Sequence, residues 1–350
     1  MSNTGEPLVS VVMATYNTEY PMIREAVGSL INQTYTNWEL ILIDDCSTEF
    51  NDFSFLDEYK DSRIKIFHNE ENMGCTRCFN KGVRLAQGEY IARLDADDIA
   101  LPHRFAKQVQ FMQTHPETKV VSGRFKYFGI KADVSLCIPN NPEFIRTTLL
   151  LTNSLAHSTL MFRRTLFTED GLYYDESFRY AQDYDLLVRI CGRGIKITQL
   201  PECLVYIRTH GSQISAVNTK TRTQQRGFMS EVSGRQLMNV YGQTQDDVAC
   251  RDALANCVLN DGITTAMINE WTRRTLQENK KNNHFDQHYL KLVFAERYAS
   301  FMRLTGEKGC LRFALRNMGP ELVQSFFIFC HRRALKHIYR MKYGSTGTKG

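Results

Sequence analysis

The chain has 350 residues, 43% of them hydrophobic and 23% charged, an ordinary balance for a globular protein with one large domain and something smaller. Its longest strongly apolar run toward the end, "LVQSFFIFC" at 322–330, falls well short of the roughly 20 residues that span a bilayer, so an integral membrane protein is not expected. The net charge of +5 is uneven: from Lys291 onward 12 Lys/Arg face 3 Asp/Glu, whereas the first 290 residues are mildly acidic, so the basic end suggests an anionic partner, lipid head groups ahead of nucleic acid.

The opening "MSNTGEPLVSVVMATYN" has no basic region ahead of a long apolar core, so no signal peptide is expected. "LVSVVMA" (8–14) reads as a buried strand, followed from Glu19 to Gln33 by apolar residues at helical spacing. "ELILIDD" (39–45), "RIKIFH" (63–68) and "EYIARLD" (89–95) are three further strands. Between the last two, Phe79, Val83 and Leu85 mark a helix that Gly88 is expected to close, and Pro102 is expected to open the next. This alternation specifies an α/β fold whose mostly parallel central sheet is flanked by helices. Residues 118–210 add "KVVSGRFKYFG", "HSTLMFR" and "ECLVYIRTH" as strands of the same sheet. Beyond about Asn218 only helical patterns remain.

Ten cysteines are scattered singly except for Cys75 and Cys78. One CxxC without a second pair is weak evidence for zinc, and free thiols in a reducing cytoplasm are the simpler expectation. There is no P-loop and no GxGxxG, so the common phosphate cradles are missing. Three polar clusters instead fall at strand ends: "ATYN" (14–17), "DDCS" (44–47) and "DADD" (95–98). In an open parallel sheet these ends share one rim, where ligands bind. Asp95, Asp97 and Asp98 are hard oxygen donors suited to Mg²⁺ or Mn²⁺, although Asp98 could equally cap a helix.

"VSVVMATYN", "SLINQTYTNWELILIDDCST" and "NMGCTRCFNKGVRLAQGEYIARLDADDIALPHRF", in this order, resemble the family 2 glycosyltransferases of the GT-A fold, a Rossmann-like architecture. The resemblance covers roughly residues 8–215. It implies a UDP-linked sugar donor, a divalent ion (Mn²⁺ or Mg²⁺) and inversion at the anomeric carbon. Carried over residue by residue, Ala14, Tyr16 and Glu19 would line the nucleoside pocket, with Tyr16 against uracil, although a core aromatic is the plain alternative for Tyr16. Asp44 would accept from the base. Asn72, Gly74 and Arg77 belong to a loop that approaches the nucleotide. Asp97 would bind metal, while Asp95 would meet the ribose or donor sugar. "YAQDYDLLVRI" (180–190) resembles the segment carrying the general base, here Asp183, with Gln182 where Glu is usual. Asp185 is expected to face elsewhere on that helix and pair with Arg189. In "YIRTHGSQIS" (206–215), His210 would reach the metal or diphosphate, a solvated loop histidine being the alternative. His157 is expected to pack or to serve the acceptor side.

The domains are thus expected at 1–217 (catalytic, with a nucleotide-sugar portion over 1–125 and an acceptor portion over 126–217) and 218–350 (helical and basic). The resemblance implies a sugar, glucose or galactose by family habit, moved onto a lipid-linked saccharide during O-antigen, capsule or other surface polysaccharide synthesis. The acceptor lipid would be undecaprenyl diphosphate and the new bond β. The enzyme would lie in the cytoplasm, peripheral at the inner membrane face, and bind no nucleic acid. "LRFALRNMGPELVQSFFIFCHRRALKHIYRMKYG" (311–344) suits either an interfacial helix on anionic lipid or a helix packed on the protein. The alternative function is a non-catalytic relative that binds nucleotide or glycan. A nucleotidyltransferase would need a glycine-rich basic loop, and "MATYNTEYP" has no Gly, Lys or Arg.

Overall fold

A computed structural model describes residues 5–130, 133–134, 141–211, 227–232, 244–259, 262–307 and 310–321. The run at 322–330, most of the 311–344 stretch and the end of the 206–215 motif lie outside them. Two compact units divide the chain: Met1–Ser135 with Leu155–Gln225, and Leu136–Ser154 with Arg226–Gly350. Residues 136–154, which fall within the expected acceptor portion, therefore group with the helical residues.

In the first unit, β1 (Val9–Thr15), β2 (Trp38–Asp44), β3 (Ile64–His68) and β4 (Tyr90–Arg93) are parallel, separated by α1 (Tyr20–Ile31) and α2 (Cys75–Leu85). After β5 (Ile99–Ala100) and α3 (Arg104–Thr114) comes the long β6 (Val120–Gly129), which pairs with the short β7 (Asp133–Val134). In the helical unit α4 spans Pro142–Thr148; the first unit resumes with β8 (Met161–Arg163), α5 (Thr165–Thr168), α6 (Gln182–Gly192) and β9 (Ile197–Thr209). The sheet order is β3-β2-β1-β4-β8-β6-β9-β5. β8 runs antiparallel to both neighbours, and β5 antiparallel to β9, so the sheet is mixed beyond β4. Strand order reverses between β1 and β4, and the crevice outside their carboxyl ends is where such a sheet binds ligands.

β1 and β2 are buried on both faces, which is why they read as continuous apolar runs. Ile23, Val27 and Leu30 of α1 pack in one core with Val9, Val11, Met13, Leu40 and Leu42. α2 lies on the opposite face, and a Cβ at Gly82 would collide with Val12, so glycine sets how closely this helix approaches the sheet. The helix ends at Leu85 with Ala86 as its cap, three residues before the glycine expected to close it. Gly88 instead lies where a Cβ would strike the backbone of Leu8 and Ser10, and its N–H donates to Ser10 Oγ at 2.8 Å. α3 begins at Arg104, two residues after Pro102.

A buried polar knot ties the other end of the sheet. Glu39 accepts from Ser10 Oγ (2.6 Å), Gln87 N (2.9 Å) and Lys65 Nζ (2.7 Å). Burial pushes this carboxyl up, but the bonds from Lys65, Ser10 and Gln87 outweigh it and hold the group below its usual range. A carboxyl with a depressed folded pKa stabilises the fold above its unfolded pKa, and that contribution fades as pH falls through the folded value. Glu39→Gln should therefore cost about 1–3 kcal/mol at pH 7. In denaturant titrations the gap to wild type should close below about pH 4.5; a gap that widens in acid would contradict this account.

The second unit contains, besides α4, α7 (Gln245–Asn256), α8 (Thr265–Asn282) and α9 (Gln287–Thr305), with helical residues also at 227–232 and 310–321. Thr244 caps α7 through a reciprocal bond pair with Asp247, and Trp271, Phe294 and Tyr298 are fully buried between helices. No helix among the described residues is long and apolar enough to cross a membrane.

Candidate active site

The parallel register brings the three strand-end clusters to one rim: Thr15 pairs with Asp44, Asp44 with His68, and Val12 with Arg93. Asn17, in the left-handed region, staples the first two. Its N–H donates to Ser47 Oγ, and its Oδ1 accepts from the N–H groups of Thr48 and Glu49 at 2.9 Å. Ala14 is half-buried, and Tyr16 is 49% exposed, so its ring belongs to the rim and not to the core. Glu19 is exposed and its carbonyl receives the first N–H groups of α1.

Asp44 is buried, with Oδ1 accepting from Ser47 N and Oδ2 3.1 Å from His68 Nδ1. Its neighbour Asp45, which no motif singled out, organises the next loop. Its carboxylate accepts from Met73 N, Gly74 N and Asn69 Nδ2, each at 2.8 Å. Asn72 adds a bond to the Asp45 carbonyl, and Gly74 occupies φ 84°, where a side chain would be strained. Arg77 is exposed and lies 3.4 Å from Glu176.

The acidic cluster divides sharply. Asp95 keeps 43% of its side chain open, yet both oxygens are held: Arg93 donates to Oδ1 and Ser158 Oγ to Oδ2 at 2.8 Å. Removal from bulk water works against its charge, but the Arg93 guanidinium, helped by the bond from Ser158, holds its carboxyl below the usual range. Asp97 Oδ2 lies 2.8 Å from His210 Nε2, and each side chain is 20% exposed. Burial, then repulsion from Asp95, pushes the Asp97 carboxyl up despite His210.

Asp98 does not cap a helix. The chain continues into β5, whose pairing with β9 buries Asp98 against the N–H of Arg208 (3.0 Å). Arg208 also donates through Nε to the Asp97 carbonyl at 2.9 Å, so β9 delivers both His210 and the tie that holds the acidic turn. Ser158 Oγ lies 2.5 Å from Asp98 Oδ2 as well as 2.8 Å from Asp95 Oδ2, and one hydroxyl proton cannot serve both. Burial, with the charges of Asp95 and Asp97, raises the Asp98 carboxyl well above its ordinary range, which favours a neutral side chain at this position. An amide can make the same two bonds. Asp98→Asn should accordingly fold and turn over like wild type, while Asp98→Ala should lose about 1–3 kcal/mol by stranding the buried Arg208 N–H; parallel thermal melts of the two variants check this.

Asp183 stands in the first turn of α6, after Ala181 in the left-handed region. Gln182 Nε2 donates to Cys75 Sγ at 3.6 Å, and the Cys75 thiol, pushed up by burial, feels the charges of Arg93, Asp95 and Asp183. The base candidate and the acidic cluster thus flank one thiol at the start of α2. Asp185 is buried and pairs with Arg189 at 2.7 Å, as the helical spacing implies. His157 packs edge-on to Phe79, and its Nε2 lies 2.7 Å from Tyr174 Oη; burial, then Arg93, lowers its pKa to about 3, so it packs there as a neutral imidazole.

Among the described residues no cluster of three or more His, Cys, Asp or Glu is arranged to hold a metal. The donor pair of Asp97 and His210 nevertheless fits a divalent ion that keeps waters and takes its remaining ligands from a diphosphate. One carboxylate oxygen and one imidazole nitrogen converge at the cleft. Of the working parts, the motifs did not name Asp45, Arg93, Ser158 or Arg208. Arg93 could have been found as the one cation within two residues of Asp95. Ser158 comes from a segment some sixty residues away, with no local signal.

A mixed sheet with this strand order, its carboxylates gathered at the switch point, has the GT-A fold. Residues 10–171 match the model of Glycosyl transferase family 2. An "Uncharacterized glycosyltransferase" of Haemophilus influenzae is 34% identical over 224 residues, 60% of this chain and 68% of the relative. WfaP of Escherichia coli, a UDP-Glc:alpha-D-GlcNAc-diphosphoundecaprenol beta-1,3-glucosyltransferase, is 30% identical over 227 residues, 64% of this chain and 86% of the relative. The chain belongs to glycosyl transferase family 2. Its fold matches that of Staphylococcus aureus TarS 1–349, solved with UDP-GlcNAc, with a TM-score of 0.56, 16% identity and 90% of each chain covered.

Proposed function

We propose that this chain is an inverting hexosyltransferase that moves glucose or galactose from a UDP-sugar to a hydroxyl of a lipid-linked saccharide in surface polysaccharide synthesis. The observation that carries the reading is the convergence of Tyr16, Asp44, Asp95, Asp97 and His210 on one rim at the strand-order reversal. The exposed Tyr16 ring offers a stacking face for uracil, with Ala14 and Glu19 beside it and Asp44 at the base edge. Asn72 and Arg77 flank the loop that Asp45 and Gly74 bring up to the nucleotide. Asp95 accepts from a donor hydroxyl.

Mn²⁺ or Mg²⁺ held by Asp97 and His210 would neutralise charge on the departing diphosphate. Asp183 takes the proton from the acceptor hydroxyl as that oxygen attacks the anomeric carbon from the face opposite the leaving group. One displacement inverts the centre, so an α-linked donor gives a β-glycoside. The likeness to WfaP supports an undecaprenyl-diphosphate-linked acceptor and glucose as the first sugar to test. Leu304, Leu311 and Leu315 are exposed beside Arg303, Arg312 and Arg316, a composition that supports peripheral contact with an anionic inner membrane face.

The test is a panel of UDP-, GDP- and dTDP-sugars against a prenyl-diphosphate-linked acceptor, with and without Mn²⁺. Transfer from a UDP-hexose, dependent on the ion, is expected. Transfer from a GDP- or dTDP-sugar alone would remove the Asp44–uracil contact. Nucleotide binding with no turnover of any donor would favour a non-catalytic binding domain.

A further inference from the structure

Asp95 is the most open of the three clustered carboxylates, and an open carboxylate at a strand end ordinarily swings between rotamers. Here it is held from behind. Arg93 is the last residue of β4, two residues before Asp95, and its guanidinium reaches forward to that carboxylate. Arg93 is only 3% exposed, and its guanidinium lies 3.6 Å from the centre of the Phe79 ring. Its Nη1 donates to the carbonyls of Val12 (3.2 Å) and Leu94, and Nη2 donates to Asp95 Oδ1. The backbone at this point is fixed as well, because Arg104 Nη2 donates to the Arg93 carbonyl at 2.7 Å. Stability does not explain such an arrangement. Burying a guanidinium carries a large desolvation penalty, and a pair with a half-open carboxylate returns little of it. What it does secure is one orientation of Asp95.

Resting on the function proposed above, we propose that Arg93 is a positioning residue for sugar transfer: it locks Asp95 in the rotamer that faces the cleft, so that the carboxylate meets a donor hydroxyl without first being ordered. Ser158 provides the second hold.

The test is a double-mutant cycle with the nucleotide sugar that the wild type turns over best. Arg93→Met should lower kcat/KM for the donor about 100-fold, the scale of a misplaced reacting group, with the acceptor KM unchanged. Asp95→Asn should cause a similar loss. Because Arg93 acts through Asp95, the double variant should be no worse than Asp95→Asn alone. Arg93→Lys, which keeps the charge but loses the planar fork, should recover only about a tenth of the wild-type rate. If melting shows that Arg93→Met does not fold, the cycle of Arg93→Lys with Asp95→Asn makes the same distinction. Additive losses, or full activity in Arg93→Met, overturn the positioning role while leaving the transferase intact. Failure of the wild type with every donor overturns the proposed function, and this inference with it.

Discussion

Asp183→Asn is expected to lower kcat for sugar transfer by about 10²–10⁴-fold, the usual range for a lost general base, while leaving nucleotide-sugar binding and thermal stability near wild type. The expectation follows from position. Asp183 lies in the first turn of α6, near Cys75, whose thiol also feels the charges of Arg93 and Asp95. Its sequence neighbour Gln182 is neutral and donates to the same thiol, so that side chain cannot take over the proton. Single-turnover kinetics separate this prediction from a binding defect, because only the chemical step should slow. A variant that transfers sugar at wild-type speed would remove Asp183 from the reaction.

The second large effect is expected at Asp97. Asp97→Ala should abolish ion-dependent binding of the nucleotide sugar and lower turnover by about 10²–10³-fold, the scale associated with a lost electrostatic stabiliser of the leaving group. His210→Ala should act in the same direction and more weakly, since a carboxylate contributes charge where a neutral imidazole contributes only a lone pair. Calorimetric titration of UDP with and without Mn²⁺ reads this directly. The wild type should show a large difference between the two conditions, and Asp97→Ala should show none. An unchanged response to Mn²⁺ in Asp97→Ala would move the ion elsewhere. Asp98→Asn is the internal control, because its hydrogen bonds hold the turn and survive in an amide.

These contrasts show which features could be seen before folding. The buried strands were legible because a parallel sheet covered on both faces demands continuous apolar runs, as in Val9–Thr15 and Trp38–Asp44. Helix α6 was legible down to the Asp185–Arg189 pair, since a spacing of four residues is a local property. Boundaries decided by packing were not: Gly88 closes no helix because the backbone of Leu8 and Ser10 comes too close for a side chain. Asp98 likewise offered a capping residue by type, yet the pairing of Ile99 with Tyr206 across more than a hundred residues drew it into the sheet.

The sequence by itself determined the family, the strand–helix alternation and the carboxylates that line the rim, because motif spacing and periodicity are carried within short segments. The tertiary structure alone decided how the charge of "RLDADD" is divided. Arg93 takes Asp95, the backbone of Arg208 and the hydroxyl of Ser158 take Asp98, and Asp97 is left facing His210. The reason is that three of these partners arrive on β9, just after it, or on the segment before β8, and a counter-charge becomes a partner only when the sheet brings it within hydrogen-bonding distance.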